Sequence, residues 1–196
     1  QNTSVYVEDS FYFLPNVAAV AGTQFLYATR DRKDRFLSDG DQSGSTAFNL
    51  WSPKGGLLWQ IDPTWQAYAN VSRSAEVPSF GESSIGPGIP TIPFTSIRPQ
   101  TATTYEIGTR GKRPDFTWEL TAYRARIKDE LLCLYSAFGN CNVTNADLTV
   151  HQGIEAGVGA AIFREMFVRG DKPDKLWLNV AYTLNDFRFD NDPVFG

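Results

Sequence analysis

Along residues 149–162 the chain changes character at every step. Val150, Ile154, Ala156, Val158, Ala160 and Ile162 fall on one side of an extended backbone, with Gln152 the single polar interruption. Thr149, His151, Gly153, Glu155, Gly157 and Gly159 fall on the other side. A period of two marks a β-strand with one apolar and one polar face, whereas a helix would scatter both sets around its axis. The split recurs elsewhere. Trp65, Ala67, Ala69 and Val71 oppose Gln66, Tyr68, Asn70 and Ser72. Phe116, Trp118, Leu120 and Ala122 oppose Thr117, Glu119, Thr121 and Tyr123, and Leu176, Leu178, Val180, Tyr182 and Leu184 extend the pattern.

Eight such runs are predicted, over residues 3–13, 17–29, 45–60, 65–74, 98–110, 116–134, 149–162 and 175–189. The connections are as telling as the strands. Those at 14–16, 61–64 and 111–115 are tight and carry Pro, Gly, Asp or Asn, residues that set turn geometry. Those at 30–44, 75–97 and 135–148 are long. Short and long therefore alternate, as in an outer-membrane barrel with short periplasmic turns and longer extracellular loops. The connection at 163–174 should be short and is not. Residues 10–29 carry no formal charge, about the length of a membrane-spanning helix, but Pro15-Asn16 breaks the run and predicts two strands.

A soluble β-sandwich also alternates, and it stays open as a competitor. Three features favour the barrel. The apolar faces are long. The polar faces hold Asn, Gln, Thr, Tyr and Gly rather than the Lys and Glu of a solvated surface. Aromatics crowd the tight turns, with Phe11, Tyr12 and Phe13 at the first, Trp59 and Trp65 at the second, Phe116 and Trp118 at the third. Interfacial aromatic girdles have that distribution.

Composition removes several functions. Aromatics are 14% of the chain and charged residues 20%, and the net charge of -4 lacks the basic field of a nucleic-acid binder. One histidine, His151, leaves little for acid–base or triad chemistry, and no GxSxG-type motif or metal-ligand spacing occurs. Asp129 and Glu130, being consecutive in a strand, point to opposite faces. An enzyme is not expected. The opening residues already read as strand and residues 190–196 close nothing, so the sequence reads as a segment cut from a larger domain.

Five phrases in order carry a family resemblance: YVEDSFYF, AFNLWSPKGGLLWQI with WQAYANVSRSAEVPSF, RPQTATTYEIGTRG, FTWELTAYRARIKDELL, and NADLTVHQGIEAGVG. Together they resemble the barrel of TonB-dependent outer-membrane receptors, most closely the ferric-dicitrate and ferric-siderophore branch. The resemblance implies an all-β antiparallel up-and-down meander, a fragment of about eight strands of a 22-stranded transmembrane β-barrel. Residues 1–196 would be part of the barrel domain, with the plug domain and the C-terminal strands lying outside this segment. The implied function is uptake of a ferric siderophore or ferric citrate across the bacterial outer membrane, energised by the TonB complex acting through the missing plug. Iron would travel inside the chelate, so no cofactor and no protein metal ligand are expected. Outer-membrane lipid and lipopolysaccharide are the surrounding partners; a passive porin-like channel is the alternative transporter.

Within that frame particular residues acquire roles. The connection at 75–97 is the expected ligand-binding loop, with Phe80, Ile85, Ile89, Ile92 and Phe94 needing an apolar partner. Arg73 and Arg98 bracket it, suited either to an anionic chelate or to lipopolysaccharide phosphates. Tyr68, Asn70, His151 and Glu155 are expected on the lumen face, as hydrogen-bonded wall residues or ligand contacts. Arg30, Arg32, Lys33 and Arg35, offset by Asp31, Asp34, Asp39 and Asp41, read as a solvated loop. Cys133 and Cys141 are the only cysteines, and an oxidising compartment makes a disulfide across the loop apex the expectation.

Overall fold

A computed structural model describes residues 1–36, 41, 43–79, 97–135, 141–170 and 172–190, excluding the side chains of Cys141 and Asn142. Eight strands follow in chain order: β1 (Asn2–Leu14), β2 (Val17–Arg32), β3 (Gly44–Asp62), β4 (Trp65–Glu76), β5 (Gln100–Arg113), β6 (Phe116–Tyr135), β7 (Cys141–Arg164) and β8 (Lys175–Phe189). They form one sheet in the order β1-β2-β3-β4-β5-β6-β7-β8, and every neighbouring pair is antiparallel. Among the described residues one continuous meander leaves no second sheet for the competing sandwich to pack against. Pro15-Asn16 separates β1 from β2 as predicted, and no described helix is long and apolar enough to cross a membrane.

The three tight turns share one design. Pro15-Asn16, Pro63-Thr64 and Pro114-Asp115 each join two strands with a pair of residues. Proline at the first position has its φ already fixed and lacks only an N–H that the turn does not need. Asp62 adds a local lock, accepting from the Thr64 N–H and hydroxyl at 2.7 Å each. The connection at 165–174 shares this end of the sheet and is longer, yet it is tied down. The Asp174 carboxylate accepts from the N–H groups of Phe167 at 3.0 Å and Val168 at 2.7 Å, and the Glu165 N–H donates to the Asp174 carbonyl at 3.0 Å. Asp115 then bridges two turns, pairing with Lys175 at 3.1 Å and with Arg164.

At the opposite end one expectation is corrected. The connection predicted at 135–148 shrinks to 136–140, because β6 and β7 stay paired up to Tyr135↔Cys141. Residues 141–148 lack an apolar alternation of their own, and pairing with β6 imposes the strand on them. Cys141 is thus the first residue of β7 rather than part of a loop. Arg30 is a second correction. It belongs to β2 and is only 7% exposed, not solvated, because the chain leaving β4 covers it.

Cross-strand register sorts the side chains into the two faces that alternation predicts. Leu57, Ala69, Ile107, Ala122, Ile154 and Leu184 form one row of the apolar face. Trp59, Ala67, Thr109, Leu120, Ala156 and Tyr182 form the next. This face stays bare, with Ile107 64% and Leu184 54% exposed. Asp9 is its exception on β1, between Val7 and Phe11. Near the tight turns the aromatics cluster, with Trp65 and Trp118 centroids 6.5 Å apart and Phe116 stacked on Trp118 at 5.6 Å.

Glycines make room for aromatics on strands alongside. A Cβ at Gly108 would lie 2.5 Å from the Tyr68 ring, and across that vacancy the Tyr68 hydroxyl meets Thr121 Oγ1 at 2.7 Å. Tyr123 reaches past Gly153 to Asn185 at 2.8 Å in the same way. Each contact ties two strands that do not pair directly.

One discontinuity divides the sheet. Pairing of β3 with β4 stops at Lys54↔Ser72, next to Pro53, which has no N–H to give. Beyond it β3 continues with β2 to Arg32↔Gly44, while β4 continues with β5 to Glu76↔Gln100.

Two outcomes follow. Gly108→Leu would drive a side chain into the Tyr68 ring and cost about 2 kcal/mol through overpacking, read as a lower melting temperature of the complete barrel in detergent. Backbone N–H donors from Val168 and Phe167 hold the Asp174 carboxyl below its ordinary 3.8. A lowered carboxylate pKa stabilises the turn fully above that ordinary value, and the contribution disappears as pH falls through the folded-state value. Hydrogen exchange at Phe167 and Val168 should be slower in the wild type than in Asp174→Ala at neutral pH, and the two should converge in strong acid.

Candidate functional site

Tyr68, Asn70, His151 and Glu155 fall on one face, in three consecutive rows. Tyr68 and Glu155 share a row with Leu58, Gly108, Thr121 and Thr183. Asn70 stands in the next with Glu106 and Tyr123, and His151 in the one after with Ser72 and Thr104. This face is rich in hydrogen bonds. Asn70 donates to Glu106 at 2.7 Å, and Arg110 donates to Gln66 at 3.0 Å. His151 stacks on Phe187 at 4.2 Å and faces Glu130 at 3.5 Å, with Thr149 donating to the same carboxylate. A ring held by stacking and a carboxylate is a fixed wall element. Lys54, Glu8 and Tyr6 form a second polar cluster towards β1.

The connection between β4 and β5 is held at each end by residues of other strands. At its first foot, Arg30 Nε donates to the Pro78 carbonyl at 3.0 Å, while its Nη1 donates to Asn2 at 2.7 Å and to the Thr29 carbonyl at 3.0 Å. Pro78 is fully buried there and Val77 is 9% exposed. Leaving β4, the chain therefore reaches β2, two strands away. At the second foot Arg98 donates to Asp129 at 2.8 Å, and its N–H donates to the Asn145 side chain at 2.8 Å. Asn145 returns hydrogen bonds to the carbonyls of Arg98 and Asp129, both at 2.8 Å. Asp129 adopts φ 58, a left-handed backbone conformation that Asp tolerates better than most residues, and the β6–β7 ladder skips it. That foot rests on β6, which pairs with β5, and on β7 beyond it.

Not every candidate is brought together. Arg73 stands on the apolar face, in the series of Ala67, Ala69 and Val71, whereas Arg98 is engaged with Asp129 at the second foot. Phe80, Ile85, Ile89, Ile92 and Phe94 lie outside the described residues. Cys133 is disulfide-bonded in a chain with two cysteines, and its backbone pairs with Val143 as that of Cys141 pairs with Tyr135. Both cysteines thus stand at the closed end of the β6–β7 hairpin. Sequence reasoning missed Arg30, Asp129 and Asn145. Parity along β2 was the available signal for Arg30, because it continues the series of Gln24, Leu26 and Ala28 on the polar face.

Solved structures share this geometry. A copper transporter, OprC, superposes with a TM-score of 0.74 at 16% identity, over 94% of this chain and 28% of its own. The ferric yersiniabactin uptake receptor FyuA from Yersinia pestis gives 0.67 at 15% identity, over 97% of this chain and 27% of its own. The alcaligin outer-membrane receptor FauA from Bordetella pertussis gives 0.65 at 15% identity, over 100% of this chain and 31% of its own. At such identities the likeness is one of fold, and the chain spans under a third of each relative. The family model for the TonB-dependent receptor-like β-barrel matches residues 1–196. Members of that family are outer-membrane transporters rather than enzymes. A single antiparallel meander, one bare apolar face and a match over the full sequence lead to one assignment: the chain belongs to the TonB-dependent receptor β-barrel family.

Proposed function

We propose that this segment is about a third of the wall of a receptor that takes up a ferric chelate, a siderophore or ferric citrate, through the outer membrane. The apolar face meets lipid, and the face bearing Tyr68, Asn70, His151 and Glu155 lines the lumen against a plug domain contributed by the rest of the protein. The TonB complex engages that plug and supplies the energy. Iron remains within its chelate throughout, so the wall needs hydrogen-bonding and apolar groups rather than metal ligands.

The observation that carries the reading is the pair of feet. Arg30 fixes one end of the β4–β5 connection on β2, and Asp129 with Asn145 fixes the other on β6 and β7. Between them in the sequence lie residues 80–96, with Phe80, Ile85, Ile92 and Phe94. Fixing both ends lowers the entropy lost when a loop closes on a ligand. Arg98 contributes at the second foot and offers an N–H-rich group near the chelate, whereas Arg73 stands on the other face. The disulfide at Cys133 constrains the next hairpin, beside this loop.

Two measurements test the reading on the complete receptor. Cells expressing it should accumulate labelled iron from one ferric chelate only when TonB is present. Uptake independent of TonB would indicate a passive channel, and transport of copper rather than iron would replace the cargo. Arg98→Ala should leave the barrel assembled, speed protease cleavage within residues 80–96, and weaken chelate binding about tenfold through lost preorganisation. Unchanged cleavage and affinity would remove the second foot from the mechanism.

A further inference from the structure

Three rings stand side by side on the polar face, towards the end of the sheet that carries the long connections. Tyr123 on β6 lies over Gly153, where a Cβ would come within 3.0 Å of the ring, and its hydroxyl is tethered to Asn185 on β8 at 2.8 Å. His151, two residues before Gly153 on β7, stacks on Phe187 of β8 with centroids 4.2 Å apart and planes 19° from parallel. Phe187 is 56% exposed, and the three rings cover two strand spacings, about 10 Å. Tyr68, nearer the tight turns on the same face, offers no such surface, because Arg110 lies over its ring at 5.7 Å. A flat aromatic shelf in a wall that otherwise offers hydrogen bonds suits a ligand with hydrocarbon on its surface.

The charge around the shelf narrows what that ligand is. From the row of Tyr68 to the row of Glu76, the polar face of β4 to β8 carries Glu76, Glu106 and Glu155 and, among the described residues, no Lys or Arg. Glu106 adjoins Tyr123 in register, Glu155 follows Gly153 along β7, and Glu130 faces His151 at 3.5 Å. Asn70 donates to Glu106 and Gln100 to Glu76, but amides leave the negative charge in place. The cations lie elsewhere. Arg110 and Lys112 are nearer the tight turns, and Arg98 at the second foot is matched by Asp129 at 2.7 Å. An anion approaching the shelf meets like charge, whereas an ammonium group meets carboxylates and electron-rich ring faces together.

Chelates of ferric iron differ in that respect. A full set of hydroxamates cancels the iron(III) charge, whereas a full set of catecholates, or citrate, leaves an excess of negative charge. We propose that the shelf of Tyr123, His151 and Phe187 receives a ferric hydroxamate chelate of neutral or positive charge. Its hydrocarbon spacers lie on the rings, and an ammonium group, where it has one, is directed to Glu106 and Glu155. These two carboxylates then determine specificity by disfavouring ferric citrate and ferric catecholates. The inference rests on the reading above that this face lines the lumen of a ferric-chelate receptor, and it narrows that reading to one chemical class.

The test uses the complete receptor in detergent. Its probes are ferrioxamine B, which bears a free ammonium, the neutral N-acetyl derivative, ferric citrate and the ferric complex of a tris-catecholate. Titration followed by intrinsic fluorescence should show binding of both hydroxamates, the ammonium form about tenfold tighter, with the two anionic chelates at least about tenfold weaker than either. The double variant Glu106→Gln, Glu155→Gln should lose the preference for the ammonium form, yet keep the affinity for the acetylated form within about twofold. Its melting temperature should match the wild type, since the amide retains an acceptor for Asn70. Phe187→Ala should weaken both hydroxamates about fivefold. Equal or tighter binding of either anionic chelate by the wild type would overturn the proposal. So would a double variant that still prefers the ammonium form, or Phe187→Ala with both affinities unchanged. Uptake by cells separates the two readings. If ferric citrate is bound as tightly as the hydroxamates and enters only with TonB, the charge selection alone fails. If none of these chelates is bound or taken up, the ferric-chelate reading fails and the shelf with it.

Discussion

A wall that crosses hydrocarbon has no water to satisfy its backbone, so every N–H and C=O between its rims must find a partner on a neighbouring strand. The antiparallel ladder that links β1 to β8 in sequence order meets that demand, and the remaining features depend on its register. Because side chains alternate, a slip of one residue would bring Ile107 and Leu120 to the polar side and Glu106 and Glu119 to the apolar one. Proline-led pairs such as Pro63-Thr64 and Pro114-Asp115 leave little freedom for such a slip. The vacancies at Gly108 and Gly153 add a second restraint, since Tyr68 and Tyr123 fit past them only in this alignment.

Most of this architecture was legible in the sequence because the determinants are local. Alternation at residues 149–162 is visible in consecutive letters, and Pro15, Pro63 and Pro114 announce the three tight turns. Arg73 reads in the sequence only as a bracket of the 75–97 connection together with Arg98, although parity with Ala67, Ala69 and Val71 puts it on the apolar face. What escaped depends on partners distant in the chain. Residues 141–148 have no strand pattern and are held extended by β6. Arg30 looked like one charge among many in residues 30–41, and its partners Pro78, arriving from β4, and Asn2 on β1 are distant in the chain. Asp129 and Asn145 became important through Arg98, which neither approaches in sequence.

Over the central strands charge is distributed unevenly between the faces. Glu106, Glu119, Glu130 and Glu155 stand on the polar face, where hydroxyls, amides and cations surround them. The cations of β6, Arg124, Arg126 and Lys128, stand on the other. A net charge of -4 conceals this separation, because it sums over two surfaces that meet different media. The partition also explains why a modest acidic balance said little beyond disfavouring nucleic acid.

The interruption at Lys54↔Ser72 gives the sheet a seam with its own consequence. Past that point the β2–β3 hairpin and the panel from β4 to β8 share no ladder, so a change of length in one imposes no register shift on the other. Insertions near residues 33–43 can be absorbed within the β2–β3 hairpin, leaving the paired rows of the panel where they are. Variation that would jam a fully zipped wall is thereby confined to one flap of it.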